Sequence, residues 1–288
     1  MNGVVVARGL QEALSDLSER PDATVLAGGT DLMVEMNRGL RRPRRVVAVS
    51  QVPELRQWSV ANDRVVVGGG VTYTEMMTTP LAQAAPALAQ AARTVGSPPI
   101  RNAGTLGGNL GTASPAGDTL PVLAALNAQI VVAGPDGERR MELEEFVVGV
   151  KQTSLQPGEL IVRAEMDRPR GPQEFLKIGP RNAMVISMAG LALVVDRDAR
   201  AVRCALGAVA AGIPRAREAE AWVAERIDWD NGAGVDGAVA DEFGPRVAAA
   251  CAPIDDHRST AAYRRHAVAV LATRALKRAF PQGGADDA

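Results

Sequence analysis

Two glycine-rich segments restrict what this chain can fold into more than any other feature: Ala27-Gly28-Gly29-Thr30-Asp31-Leu32 and Gly104-Thr105-Leu106-Gly107-Gly108-Asn109-Leu110-Gly111. Glycine loses more freedom on folding than any other residue, so bare backbone is kept where the chain must pass close to something. The first segment follows a β-prone run, Thr24–Ala27, and precedes Thr30–Met36, which reads as a capped helix start. Adjacent glycines let N–H groups converge on an anion beside a helix N-terminus, so a phosphate or diphosphate is a natural guest. An ordinary tight turn between strand and helix would use the same residues. The second segment lies in Gly96–Pro121, a glycine- and proline-rich stretch that reads as loop and is too long for a mere connector. Its Leu106 and Leu110, and the lack of a Ser/Gln-rich composition, argue against a flexible linker.

The rest of the punctuation predicts strands over Val46–Val49 and Val65–Val67, the latter running into Gly68-Gly69-Gly70, with Thr72 as the cap of a short helix. A helix is expected over Leu81–Val95, stopped by Gly96-Ser97-Pro98-Pro99. Gln129–Ala133 and Arg139–Leu143 flank a hairpin turn, and Leu160–Met166 reads as another strand. Asp167-Arg168-Pro169-Arg170-Gly171-Pro172 marks a boundary. Beyond it, three strands are predicted over Glu174–Ile178, Ser187–Val195 and Ala201–Val209. Helices follow over Arg215–Ala224, Asp236–Cys251 and Ser259–Phe280, the last with Tyr263, Ala267, Val270 and Leu271 on its apolar face; from Gly283 on the chain reads as disordered.

Composition excludes several functions. The formal charge of −1, from 32 Lys+Arg and 33 Asp+Glu, argues against a nucleic-acid binder, which needs surplus positive charge. No run approaches the ~18 apolar residues of a membrane span, and no leader is evident, so a soluble, cytoplasmic protein is expected. Cys204 and Cys251 can supply neither a disulfide framework nor the thiolates of an iron–sulfur cluster. GxxxxGK[ST] and GxSxG motifs do not occur. His257 and His266 read as surface residues, Arg38–Arg45 as a solvated or partner-facing stripe, and Trp222 and Trp229 as packing residues. Asp118 suits either a ribose hydroxyl or, better on these grounds, the cap of the following helix. Two distant glycine segments imply one extended ligand with more than one polar part. A dinucleotide fits, FAD better than NAD.

Six segments in order resemble the FAD-binding medium subunit of the molybdenum hydroxylases, the xanthine dehydrogenase and carbon monoxide dehydrogenase family. They are Val25–Leu32, Ile100–Asn109, Ala113-Ser114-Pro115-Ala116-Gly117-Asp118, Gly158-Glu159-Leu160-Ile161, Phe175-Leu176-Lys177, and Pro253-Ile254-Asp255-Asp256 with Tyr263-Arg264-Arg265. The resemblance implies an α+β fold: a vanillyl-alcohol-oxidase, PCMH-type FAD-binding domain of two subdomains over 1–170. A CO-dehydrogenase-flavoprotein-like domain with a three-stranded antiparallel sheet and helices is implied over 171–288.

By the same resemblance, Leu26, Ala27, Gly28, Gly29, Thr30, Asp31 and Leu32 would hold the FAD diphosphate. Thr105, Leu106, Gly107, Gly108 and Asn109 would wrap its ribityl and diphosphate part. Asp118 would meet the adenosine part, and Ile161 and Lys177 would lie near the flavin ring or phosphates. Val95 falls where animal xanthine oxidoreductases carry an aromatic ring, and valine has no ring to stack. No His or Cys precedes Cys204, so noncovalent FAD is implied. The family pattern places molybdopterin on a large partner subunit and 2Fe-2S clusters on a small one, in a dimer of heterotrimers. Electrons would pass through FAD to NAD, a quinone or oxygen, with any membrane association made through the complex. This chain would supply no catalytic residue and no metal ligand. Ser114-Pro115-x-x-Asp118 is closer to the xanthine dehydrogenase version than to a carbon monoxide dehydrogenase-type medium subunit, and so leans toward an N-heterocyclic substrate. A self-contained flavin oxidase is the rival reading.

Overall fold

The computed structural model describes residues 3–230 and 234–281; the tail expected to be disordered lies outside them. The chain opens with a parallel three-stranded sheet of Val4–Val6 (β1), Thr24–Leu26 (β2) and Val46–Ala48 (β3), in the order β1-β3-β2. Parallel neighbours need crossovers. The helices Leu10–Glu19 (α1) and Leu32–Asn37 (α2) supply them.

The second sheet is antiparallel. Trp58–Val60 (β4) and Arg64–Gly68 (β5) pair at one edge, and Gln129–Gly134 (β6) and Gly137–Glu142 (β7) form the expected hairpin at the other. Val147–Gly149 (β8) and Gln152–Thr153 (β9) make a small separate hairpin. Leu160–Asp167 (β10) then closes the order β4-β5-β10-β6-β7, with its register shifted between Ile161 and Arg163.

Helices fill the long connection between β5 and β6. Tyr73–Met76 (α3) is capped by Thr72 as expected, in a reciprocal capping box with Glu75. The helix predicted over Leu81–Val95 is in fact two, Leu81–Ala84 (α4) and Pro86–Thr94 (α5), because Pro86 has no N–H to continue the first and suits the opening turn of the second. The loop predicted over Gly96–Pro121 is also corrected. Pro98–Ala103 (α6), Leu106–Thr112 (α7) and the start of Thr119–Ala125 (α8) lie inside it. Tertiary bonds override poor helix propensity here. Leu106 N–H donates to Val71 O at 3.0 Å and Gly107 N–H to Gly69 O at 2.7 Å, while the Thr105 hydroxyl oxygen accepts from Gly108 N–H at 3.0 Å. Thr105→Ala should therefore cost about 1–2 kcal/mol, read as a lowered urea midpoint with unchanged slope.

After Leu143–Phe146 (α9), the C-terminal half builds the antiparallel sheet Gln173–Ile178 (β11), Ala189–Asp196 (β12) and Ala201–Gly207 (β13). Arg217–Ala224 (α10), Gly237–Ala249 (α11) and Ala261–Ala279 (α12) follow. Strand β12 reads as a continuous apolar run because both of its faces are covered. Ala192 and Val194 join the core beneath α5 and α8, while Leu191, Leu193 and Val195 join the one beneath α11 and α12. The sheet is thus a shared middle layer between the two halves.

Trp222 and Trp229 pack against the second core, as expected. The face expected on α12 is rotated: Tyr263 is 42% exposed, whereas Ala267 and Leu271 are buried together with Arg264. Arg264 is drawn inward because its guanidinium donates to Ala208 O at 2.7 Å and to Asp256 Oδ1 at 2.6 Å. Those bonds offset much of the cost of burying its charge, while its Nε–H is left without a partner.

Candidate flavin site

The two glycine segments meet. A Cβ on Gly28 would stand 1.7 Å from Ala103 O and 3.0 Å from Gly104 N, so the first turn lies backbone to backbone against the end of α6. Gly29 has φ +73°, the left-handed region that glycine enters without penalty. The turn leads into α2, which starts at Leu32. Asp31 occupies the cap position but makes no capping bond; its Oδ2 instead accepts from the Thr112 hydroxyl at 3.2 Å, tying the turn to the end of α7. Among the described residues, the amides of residues 27–31 donate to no protein acceptor.

A third glycine run completes the frame. Gly69 N–H donates to Val162 O at 2.7 Å, and a Cβ there would meet Ile161 O at 2.6 Å. On its other side Gly107 presses on Gly69, where a Cβ would stand 2.7 Å from Gly69 O. Gly68-Gly69-Gly70 is therefore a wedge holding α7 against β10. It was visible in the sequence only as the end of a strand.

Gly28, Gly69 and Gly107 are needed by the protein's own packing. Gly108 and Gly111 are different. A Cβ on Gly108 would meet only Thr105 Oγ1 at 3.1 Å and Ala27 Cβ at 4.0 Å, and one on Gly111 only Ile161 Cδ1 at 3.6 Å. Three residues apart on α7, they present one bare face, bordered by Ala27, Ile161 and, through Thr112, Asp31.

Asp118 and Lys177 come together, 59 positions apart in the chain, but with each other. The Lys177 ammonium donates to Asp118 Oδ2 at 2.6 Å, Val185 O at 3.1 Å and Thr94 O at 3.3 Å. Asp118 also accepts from the hydroxyls of Ser187 at 2.6 Å and Thr94 at 2.9 Å. Both side chains are buried. The expected capping role of Asp118 is not realised: it stands at the cap position of α8 without a capping bond, because its oxygens are turned to these donors. Ser187 and Thr94 carried no sequence signal.

Asn109 accepts from Thr119 Oγ1 and packs on Gly117, fixing the turn between α7 and α8. Val95, half-buried, ends α5, where its carbonyl accepts from Arg101 at 3.1 Å. Tyr73 is buried beneath Gly104, and its phenol is pushed up, first by burial and then by the carboxylates of Asp118 and Asp31.

These residues fit FAD. Undonated, half-buried amides at the start of α2 suit a diphosphate, and the bare face of α7 leaves it room. Gly108→Val should keep its secondary structure at some cost in stability, since the new side chain presses on Thr105 Oγ1 at 3.1 Å, yet lose flavin absorbance at about 450 nm because the cofactor would oppose it; a variant with full flavin would remove Gly108 from the site.

The comparisons agree with that chemistry. The family described as FAD binding domain in molybdopterin dehydrogenase matches residues 1–166, and the CO dehydrogenase flavoprotein C-terminal domain matches residues 174–279. The chain is 34% identical to the nicotinate dehydrogenase FAD-subunit of Eubacterium barkeri over 197 residues, 66% of this chain and 67% of that one. It is 28% identical to the glyceraldehyde dehydrogenase medium chain of Sulfolobus acidocaldarius over 277 residues, 95% and 96% of the two chains. The fold matches the crystal structure of quinoline 2-oxidoreductase from Pseudomonas putida 86 with a TM-score of 0.86 at 26% identity, covering 97% and 96% of the two chains. With the likeness running through both halves of the fold and a cradle suited to a dinucleotide, this chain belongs to the FAD-binding medium subunits of the molybdenum hydroxylases.

Proposed function

We propose that this chain is the flavin relay of a three-part molybdenum hydroxylase. A large molybdopterin subunit oxidises the substrate, and a small subunit carries the electrons through 2Fe-2S clusters to this chain. The flavin supplies the redox chemistry when bound, accepting those electrons and passing them to NAD, a quinone or oxygen. The chain's own residues bind and orient it. The observation that carries the reading is the contact of the Gly28 turn with the α6–α7 junction around amides that have no protein acceptor.

In this reading residues 26–32 hold the diphosphate and 105–109 form the opposite wall, with Ile161 and Val95 as apolar borders. The Asp118–Lys177 pair serves as a preformed polar corner, where Asp118 Oδ1 keeps a lone pair for a cofactor hydroxyl. The FAD-binding unit runs over 1–170 and the C-terminal unit over 171–288. Pairing of two heterotrimers and a cytoplasmic location are part of the proposal; no helix among the described residues is long and apolar enough to cross a membrane. An N-heterocyclic substrate for the large subunit is favoured by the Ser114-Pro115-x-x-Asp118 pattern, and relatives named for nicotinate and quinoline point the same way.

Anaerobic titration tests the relay. The flavin on this chain should bleach with dithionite but not with purines, nicotinate or small alcohols until the partner subunits are added. Bleaching by a small alcohol with this chain alone would instead establish a self-contained oxidase.

A further inference from the structure

Beside the flavin cradle lie exposed apolar side chains that belong to none of the buried cores. Met33, Val34, Leu40, Val148 and Val150 are between 41% and 74% exposed. The first three belong to α2 and its C-terminus, the last two to the β8–β9 hairpin. The hairpin is tied both to α2 and to the end of α7. Lys151 in the hairpin turn donates to Glu35 of α2 at 3.4 Å, and its N–H donates to Ala113 O, at the end of α7, at 3.0 Å.

Leu40 is the telling member. Helix α2 ends in a Schellman motif, with Leu40 N–H bonded to Glu35 O at 2.9 Å, Gly39 N–H bonded to Met36 O at 3.0 Å, and Gly39 at φ +70°. In that motif the residue after the glycine usually packs its apolar side chain back onto the helix. Here the C3 position is Glu35, and Leu40 instead stands 74% exposed. A rigid turn thus holds an uncovered leucine away from the protein.

Around it the charge is one-sided. Arg38, Arg42 and Arg44 are exposed and have no carboxylate partner among the described residues, while Arg41 has only a loose pairing to Glu35 at 3.8 Å. An apolar centre with a charged, solvated rim is the anatomy of a protein–protein interface. The rim selects an acidic partner.

We propose that this face docks the iron–sulfur subunit, through an apolar spot on that subunit ringed by Asp and Glu. The proposal rests on the relay reading, in which that subunit is the electron donor. The surface is continuous with Asp31, Thr112 and Ala113 of the flavin cradle, so a donor seated here stands against the loops that hold the flavin. The molybdopterin subunit has no such need to approach the cofactor.

The test is co-expression of the full chain with the iron–sulfur and molybdopterin subunits of its complex. Val34→Asp/Val150→Asp should keep one FAD per chain and its circular dichroism, because both side chains are exposed, yet bind the iron–sulfur subunit about tenfold or more weakly. Arg38→Glu/Arg42→Glu/Arg44→Glu should slow association and reverse its salt dependence, so that added salt speeds binding that it slows in the unaltered chain. Assembly of the double-aspartate variant with full iron–sulfur content would overturn the surface while leaving the relay intact. So would loss of the molybdopterin subunit alone, or sedimentation showing that these changes split a dimer of this chain. Failure of the unaltered chain to take up either subunit would overturn the relay reading and the surface with it.

Discussion

Gly28→Ala should purify without flavin. The added Cβ would lie 1.7 Å from Ala103 O and 2.5 Å from Ala103 C, and neither atom can swing aside as a side-chain tip would. The Gly28 turn and the α6–α7 junction must therefore separate. Overpacking of this kind ordinarily costs about 1–3 kcal/mol of stability. Its effect on binding is larger, because the diphosphate must be held from both sides and loses its geometry once the walls part. The measurement is flavin absorbance per chain, with circular dichroism to confirm that the sheets remain. A Gly28→Ala protein carrying a full complement of FAD would mean that the contact between the two segments is incidental to the cofactor.

Lys177→Met should be the most damaging loss of a single charge. It leaves Asp118 buried with only the Ser187 and Thr94 hydroxyls as donors, and strips Val185 O of its Lys177 donor. Removing one partner of a buried ion pair costs about 3–5 kcal/mol, because the remaining charge stays desolvated. The double variant Asp118→Asn/Lys177→Met should recover much of that loss, so the two changes will be strongly non-additive in a double-mutant cycle. Urea denaturation reads both. A change below about 1 kcal/mol for Lys177→Met would show a pair as weak as one in solvent. Because Lys177 and Ser187 lie in the C-terminal half while Asp118 and Thr94 lie in the flavin half, the same variant should also weaken FAD. The clasp sets how the 179–187 segment meets α5 and α8.

How much of this was legible beforehand follows from which forces are local. Strands bounded by glycine and proline, the β6–β7 hairpin and the three C-terminal strands could be read from alternation or from apolar runs. The Thr72 cap could be read because a capping box needs only residues three apart. The segment from Gly96 to Pro121 could not. Its glycines argue against helix, and what makes α7 a helix is a set of bonds to Gly69 and Val71, far away in sequence. The wedge role of Gly69 was hidden for the same reason. The glycine turns suggest a diphosphate, but sequence cannot tell Gly28 and Gly107, where an added Cβ would strike backbone, from Gly108 and Gly111, where it would meet side-chain atoms alone. Asp118 illustrates the limit: beside a helix start it looked like a cap, and only the folded chain brings Lys177 and Ser187 to it. The first strand and α1 are not legible in the sequence, since three valines near the start carry too little pattern to stand alone.

The central claim is that the Gly28 turn and α7 together grip the diphosphate of one FAD. A crystal structure of the chain with FAD bound tests it most directly. The expected result is diphosphate oxygens at about 3 Å from the amides of residues 28–31, lying over the face of α7 that carries Gly108 and Gly111. A diphosphate bound elsewhere, with those amides facing only water, would contradict it.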